Sequence, residues 1–224
     1  MEGICYTARH GPARRMGAAL TVLLLALAVA PAGCTSKRAA LTVPLRFRPT
    51  ARLDLNAFGN GAPRTPVYLA DVRDARLSRD RIGIIRVGDT KSSVFPVGRE
   101  PTQFVGLVVK DLLRRSGLTV VDDRTDAALV VLAELNEFWA RETTTYGARV
   151  RVTVTVQDRV GTTIWKGQIA GAARRPGPSL DSDDYQQVFS DASLELVERL
   201  VREQGFRDVL YSGPPVAGAV SDVR

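Results

Sequence analysis

The chain has 224 residues and a net charge of +7, with 45% hydrophobic residues, one histidine (His10) and two cysteines (Cys5 and Cys34). That is one ordinary domain plus a leader, long enough to bury a real core. His10 and Cys5 both precede Cys34. A chain that starts at Cys34 therefore has no Ser-His-Asp or Cys-His catalysis, no His- or Cys-built zinc site and no internal disulfide.

Arg9, Arg14 and Arg15 form a positive opening, and an apolar run from Leu20 to Ala30 follows. The run is too short to cross a bilayer comfortably and ends in small residues, which is the layout of an export signal over residues 1–33. Ala32-Gly33-Cys34 resembles the end of a lipoprotein cleavage motif, in which the cysteine thiol takes a diacylglycerol. Pro31 stands where that motif usually has an aliphatic residue. Two other readings stay open: ordinary cleavage after Ala32, and an apolar core helix. The segment removed carries Glu2, Arg9, Arg14 and Arg15, so the chain from Cys34 onward remains at +5. A basic exported chain meets lipid headgroups or other anionic partners, and export argues against nucleic acid. A plain solvated surface would carry the same charge.

Residues 34–66 read as a lipid-anchored tether and loop. Leu41, Val43, Leu45 and Phe47 alternate with polar residues or proline, and Pro44 limits this stretch to an edge strand or an extended arm. Residues 67–210 read as the folded domain. Val67–Arg73 is the first secure strand, with Asp71 and Arg73 on one face, free to pair. Ile82–Val87 is a short apolar run and Gly88–Gly98 a loop. Pro101–Ser116 is a helix with proline in its first turn, Phe104, Val105, Leu107, Val108, Val109 and Leu112 on its apolar arc, and Gly117 as its stop. Leu118–Val121 is a strand. Asp122, Asp123 and Asp126 make a charged turn without the glycine and distal glutamate of a calcium loop.

Ala127–Glu142 is a long strand. Phe138 breaks the parity of Leu129, Val131, Ala133 and Leu135, which predicts a bulge near Glu137. In the next strand Ala148, Val150, Val152, Val154 and Val156 point one way and Arg149, Arg151, Thr153 and Thr155 the other, giving one buried and one wet face. Thr162–Ala170 is a further strand and Ala172–Ser179 a loop. Ser182 is the expected cap of a last helix, with Phe189, Ala192, Leu196, Val197 and Leu200 as its inner stripe and Gly205 as its stop. Residues 211–224 read as a flexible tail. The fold class is therefore α+β: a mostly antiparallel sheet with two helices packed on one face.

The acidic strand Leu69-Ala70-Asp71-Val72-Arg73 and the helix end Arg114-Arg115-Ser116-Gly117-Leu118 fit one family. So do Leu132-Ala133-Glu134-Leu135 leading to Trp139, the Val150–Val156 strand, and Gly161 with Trp165 and Gly167. On these the chain resembles the YajG-like bacterial lipoproteins across Val67–Gln204. The resemblance implies an envelope location and this fold, and no particular activity. The general plan also resembles accessory lipoproteins of envelope lipid transport. Thr35 is not the aspartate associated with inner-membrane retention, so the lipoprotein resemblance implies the outer membrane, facing the periplasm, with diacylglyceryl and palmitate on Cys34.

Two functions compete. The first is a non-catalytic, lipid-anchored accessory subunit without cofactor or metal, serving envelope assembly or lipid transport. It would hold a protein, lipid or glycan partner through Trp139, Tyr146, Arg149 and Arg151, since aromatics and arginine favour interfaces. A charged face that only deters aggregation explains the same residues. The second is an exported hydrolase of envelope glycans, using Asp71 with Asp74, or Asp181 with Asp183 and Asp184. Pairing with Arg73 for Asp71, and helix capping for the others, account for those carboxylates better.

Overall fold

The computed structural model describes residues 40–51, 58, 61–87, 90–179 and 181–214. The expected signal segment, Cys34 and residues 215–224 lie outside these.

The sheet is built on one long strand, β7 (Leu129–Glu142). Leu129, Val131, Ala133 and Leu135 are buried along one side of it. One edge of β7 pairs antiparallel with β8 (Thr145–Gln157), which pairs antiparallel with β9 (Thr163–Pro176). Its other edge receives three short strands in succession, β2 (Val67–Leu69), β3 (Arg73–Asp74) and β4 (Gly83–Val87), all parallel to it. β5 (Thr90–Val97) returns antiparallel to β4, β1 (Leu41–Pro44) lies parallel to β5, and β6 (Val120–Val121) lies parallel to β2.

The sheet is thus mixed, not mostly antiparallel. Strands of two or three residues carry too little alternation to announce their direction, and only the path of the intervening chain makes them parallel. β1 is the edge strand that Pro44 implied. The expected strand Val67–Arg73 is broken between β2 and β3. The expected loop at Gly88–Gly98 holds β5, whose Ser92 and Val94 are buried although its first half, Thr90–Ser93, is polar. β9 runs on to Pro176 through most of the expected Ala172–Ser179 loop.

The predicted bulge is present. The β7–β8 register slips between Leu135 and Glu137, and Asn136 is the extra residue; its Oδ1 accepts from the Thr153 hydroxyl at 2.8 Å. Beyond the slip Phe138 pairs with Val150, so it shares the buried face of the valine strand, while Trp139 pairs with Arg149 on the other face.

Three helices are described, not two: α1 (Pro101–Arg115), α2 (Ser182–Arg202) and α3 (Gln204–Ser212). Phe138 is where the first two meet the sheet. Its ring lies edge-on to Phe104 of α1 at 5.8 Å and stacks on Phe189 of α2 at 4.2 Å. Leu107 of α1, expected on the apolar arc, is 53% exposed. α2 lies directly on β9, where a Cβ at Gly171 would fall 2.0 Å from the Ala192 carbonyl oxygen. The α2 cap is Asp181, one residue before the expected Ser182; its carboxylate accepts from the Asp183 amide at 2.9 Å.

Gly205 does not stop the second helix. The break falls at Glu203, with extended backbone (φ −65°, ψ 119°), and Gly205 sits inside α3. There it lets the Trp165 indole lie against the helix, because a Cβ would come within 2.5 Å of Nε1. Phe206 packs on the same indole at 5.6 Å.

Val154 is 3% exposed, whereas Arg151 pairs across the open face with Glu137 at 3.0 Å. Val154→Asp is expected to cost several kcal/mol, enough to unfold a marginal domain. Arg151→Ala should cost less than about 1 kcal/mol. Gly171→Ala should cost about 1–3 kcal/mol, because α2 must lift off β9. Urea melts of the three variants check all three, and a Val154→Asp variant that melts like the parent would reverse the assigned faces.

Candidate functional site

The helices cover one face of the β7–β8–β9 layer and leave the other open. Trp139, Arg149 and Arg151 stand together on the open face around Glu137. Its carboxylate meets Arg151 at 3.0 Å and Arg149 at 3.7 Å. Tyr146 is not with them. It has the parity of Ala148 and Val150, and its ring packs 5.7 Å from Tyr185 of α2 on the helix side. Burial first, then the nearby Asp184 carboxylate, raises the Tyr146 phenol above its ordinary value. Tyr185 is fully buried, its hydroxyl donates to Glu142 at 2.7 Å, and burial and that carboxylate hold it protonated. The four proposed contact residues therefore split three to one between faces. Cys34 lies outside the described residues.

The paired carboxylates are engaged elsewhere. Arg73 bonds Glu134, its partner across β3 and β7, rather than Asp71. Asp74 takes the Arg76 guanidinium at 2.9 and 2.8 Å and the Arg76 amide at 3.1 Å. Chiefly through the side-chain bonds to Arg76, Asp74 is held below its ordinary value of 3.8. Asp181 caps α2, and Asp184 accepts from the Ser179 hydroxyl at 2.6 Å. In the charged turn, Asp122 bridges Lys110 at 2.6 Å and Arg114 at 2.8 Å, and those two cations depress its pKa. Asp123 accepts from the Thr125 amide at 2.8 Å, which lowers its pKa too. Among the described residues no three His, Cys, Asp or Glu side chains come together to hold a metal ion, and no helix is long and apolar enough to cross a membrane.

One buried charged cluster has no counterpart in the sequence reading. Asp191 of α2, 6% exposed, accepts from the Thr50 amide at 2.7 Å, the Thr50 hydroxyl at 2.7 Å and the Ala51 amide at 3.2 Å. The Arg175 guanidinium bonds the same carboxylate. Immediately before it on α2, Ser190 Oγ accepts from the Arg48 amide at 3.0 Å and donates to the Gln186 carbonyl at 2.8 Å. Together they clamp the arm that follows β1 onto α2. An aspartate among the apolar residues of the α2 stripe was the available signal, but its partners lie about 140 residues away in sequence.

Further toward the start of the chain, Ala40, Leu41 and Thr42 line an open groove of about 710 Å³ with Ser179, Asp181 and Asp184. The chain thus enters the fold beside the start of α2.

No family model matches the chain, and no curated protein matches it. Several solved structures are similar in backbone. A Xanthomonas campestris protein of family DUF330 is 12% identical over 77% of this chain and 97% of its own, with a TM-score of 0.48. A minor lipoprotein of Acinetobacter baumannii is 12% identical over 64% of this chain and 94% of its own, at 0.40. PelC of Paraburkholderia phytofirmans, a dodecamer, is 14% identical over 62% of this chain and 87% of its own, at 0.38. Likeness at this level carries no assignment of activity.

Asp191→Ala should destabilise the domain by about 2–3 kcal/mol, because it leaves the Thr50 and Ala51 amides without their acceptor and removes the ion-pair partner of Arg175. Amide exchange at Thr50 and Ala51 should quicken ahead of global unfolding; unchanged exchange there would refute the clamp. Asp74 carries a pH signature. Its folded pKa is depressed, so its stabilisation is complete above the ordinary value of 3.8 and vanishes as pH falls through the lowered value. The stability gap between parent and Asp74→Asn should thus be fully present at about pH 6 and shrink as pH falls below the ordinary value of 3.8.

Proposed function

We propose that this chain is a lipid-anchored protein of the bacterial envelope, a non-catalytic binding or accessory subunit of the YajG-like kind. The observation that carries the reading is Cys34, placed immediately after the small residues that end the export signal. Ala40, only six residues later, already lines the groove at the start of α2, so a lipid on Cys34 would hold the domain close to a membrane. Arg149, Arg151 and Trp139 stand on the sheet face that none of the described helices covers, the arrangement a contact surface needs.

The glycan-hydrolase reading has less support. Asp74, Asp181 and Asp184 are each engaged as ion-pair partner, helix cap or hydroxyl acceptor, and a general acid needs its proton free at neutral pH. Outer-membrane residence and a setting in envelope assembly or lipid transport rest on the sequence resemblance.

Labelled palmitate should enter the parent protein and not Cys34→Ser, and the variant should leave the membrane fraction or stay unprocessed. A variant that labels and fractionates like the parent would overturn lipid anchoring in favour of cleavage after Ala32. Glycan cleavage by the purified parent, abolished in Asp181→Asn, would overturn the non-catalytic reading.

A further inference from the structure

One row of paired residues crosses the sheet: Leu41, Val94, Gly83, Ala140, Ala148 and Ala173. β1 runs parallel to β5, and β5 antiparallel to β4, so the chain enters this row from the end that carries the β4–β5 and β7–β8 turns. At that end, on the open face, stand Arg86, Lys91, Arg141 and Arg174. Each has the opposite parity to a buried neighbour: Ile85, Ser92, Ala140 and Ala173. All four are exposed, and none meets a carboxylate among the described residues. Arg174 is placed independently, since its Cγ lies 3.0 Å from where a Gly147 Cβ would project on the open face.

Carboxylates are present nearby but do not neutralise this edge. Glu137 is taken by Arg149 and Arg151. Glu142 points to the helix side and holds the Tyr185 hydroxyl. Asp181, Asp183 and Asp184 belong to the start of α2, in the helix layer across the sheet.

We infer that this cationic edge is a docking surface for the phosphates of an anionic phospholipid bilayer, and that it sets the domain's orientation on the membrane. The inference rests on the anchoring reading above. Two observations carry it. Charge complementarity is one: four cations at a single edge of the sheet that meet no carboxylate among the described residues. The other is reach. The six residues from Cys34 to Ala40 span at most about 20 Å, so a lipid on Cys34 confines the same end of the sheet to the bilayer surface. Screening within about 8 Å at physiological salt makes such confinement necessary for exposed cations to act.

The test uses the lipidated chain in vesicles. The mature chain has Cys34 as its only cysteine, so one introduced cysteine gives one free thiol to label. Thr144→Cys marks the turn at the cationic end, and Val160→Cys marks the opposite turn, about 40 Å away along β8. Quenching by headgroup nitroxide lipids is read in phosphatidylglycerol-containing and in pure phosphatidylcholine vesicles. Strong quenching at Thr144→Cys and little at Val160→Cys is expected in the anionic vesicles. The difference should fall in neutral vesicles, at high salt, and when Arg86→Glu, Arg141→Glu and Arg174→Glu are combined. The salt and lipid arms use unaltered charges, so they hold even if the triple variant folds poorly. Quenching at Thr144→Cys that ignores lipid charge and salt overturns the proposal, leaving either the tether alone or an acidic protein partner for this edge. The mass of the mature N-terminus reports acylation separately. An unacylated chain that still shows charge-dependent quenching keeps the surface and loses the anchor; one that shows none loses both.

Discussion

The extra residue at Asn136 decides how the two faces of this sheet are used. Without it, the alternation of Leu129, Val131, Ala133 and Leu135 would carry Trp139 into the core and leave Phe138 outside. The slip reverses the parity of everything beyond it. Phe138 then enters the helix side, where Phe104 and Phe189 close on it from α1 and α2. Aromatic contacts of this kind add to the area they bury, and here a single ring couples both helices to the sheet. Trp139 goes to the open face beside Arg149. One inserted residue therefore sets both the core and the exposed surface.

The arm after β1 is tied down by a different device. Its backbone amides at Arg48, Thr50 and Ala51 have no strand neighbour to satisfy them, and α2 supplies Ser190 and Asp191 instead. A buried carboxylate is costly alone. Here two amides, a hydroxyl and the Arg175 guanidinium compensate it. The consequence for function is mechanical. The arm from Arg48 to Ala51 is held against α2, so the chain that follows β1 is fixed in direction where it leaves the sheet.

These two constraints leave the molecule asymmetric. One side of the sheet is closed by helices and holds its buried hydroxyls and carboxylates in defined pairs, such as Tyr185 with Glu142. The other side exposes arginine, lysine and one tryptophan, and its far edge has cations that meet no carboxylate among the described residues. A surface of that composition attracts phosphates and other acidic groups.

The sequence by itself determined the elements whose signal is local. The valine strand Val150–Val156, the α1 helix with its proline start, and the bulge near Glu137 all follow from periodicity over a few neighbouring residues, because side-chain direction is dictated by backbone geometry. The expectation of an export signal ending at Cys34 also rests on a contiguous stretch, one that lies outside the described residues. Tertiary structure alone decided what depends on partners distant in the chain. It made β2, β3 and β4 parallel to β7, put the polar stretch Thr90–Val97 into a strand, and turned Gly205 from a helix stop into a seat for Trp165. It also sent Tyr146 to the helix side, away from Arg149 and Arg151, though all four proposed contact residues lie close in sequence. Strand pairing and burial are properties of neighbours in space, and a one-residue change of parity, invisible to composition, moves a side chain from one face of a sheet to the other.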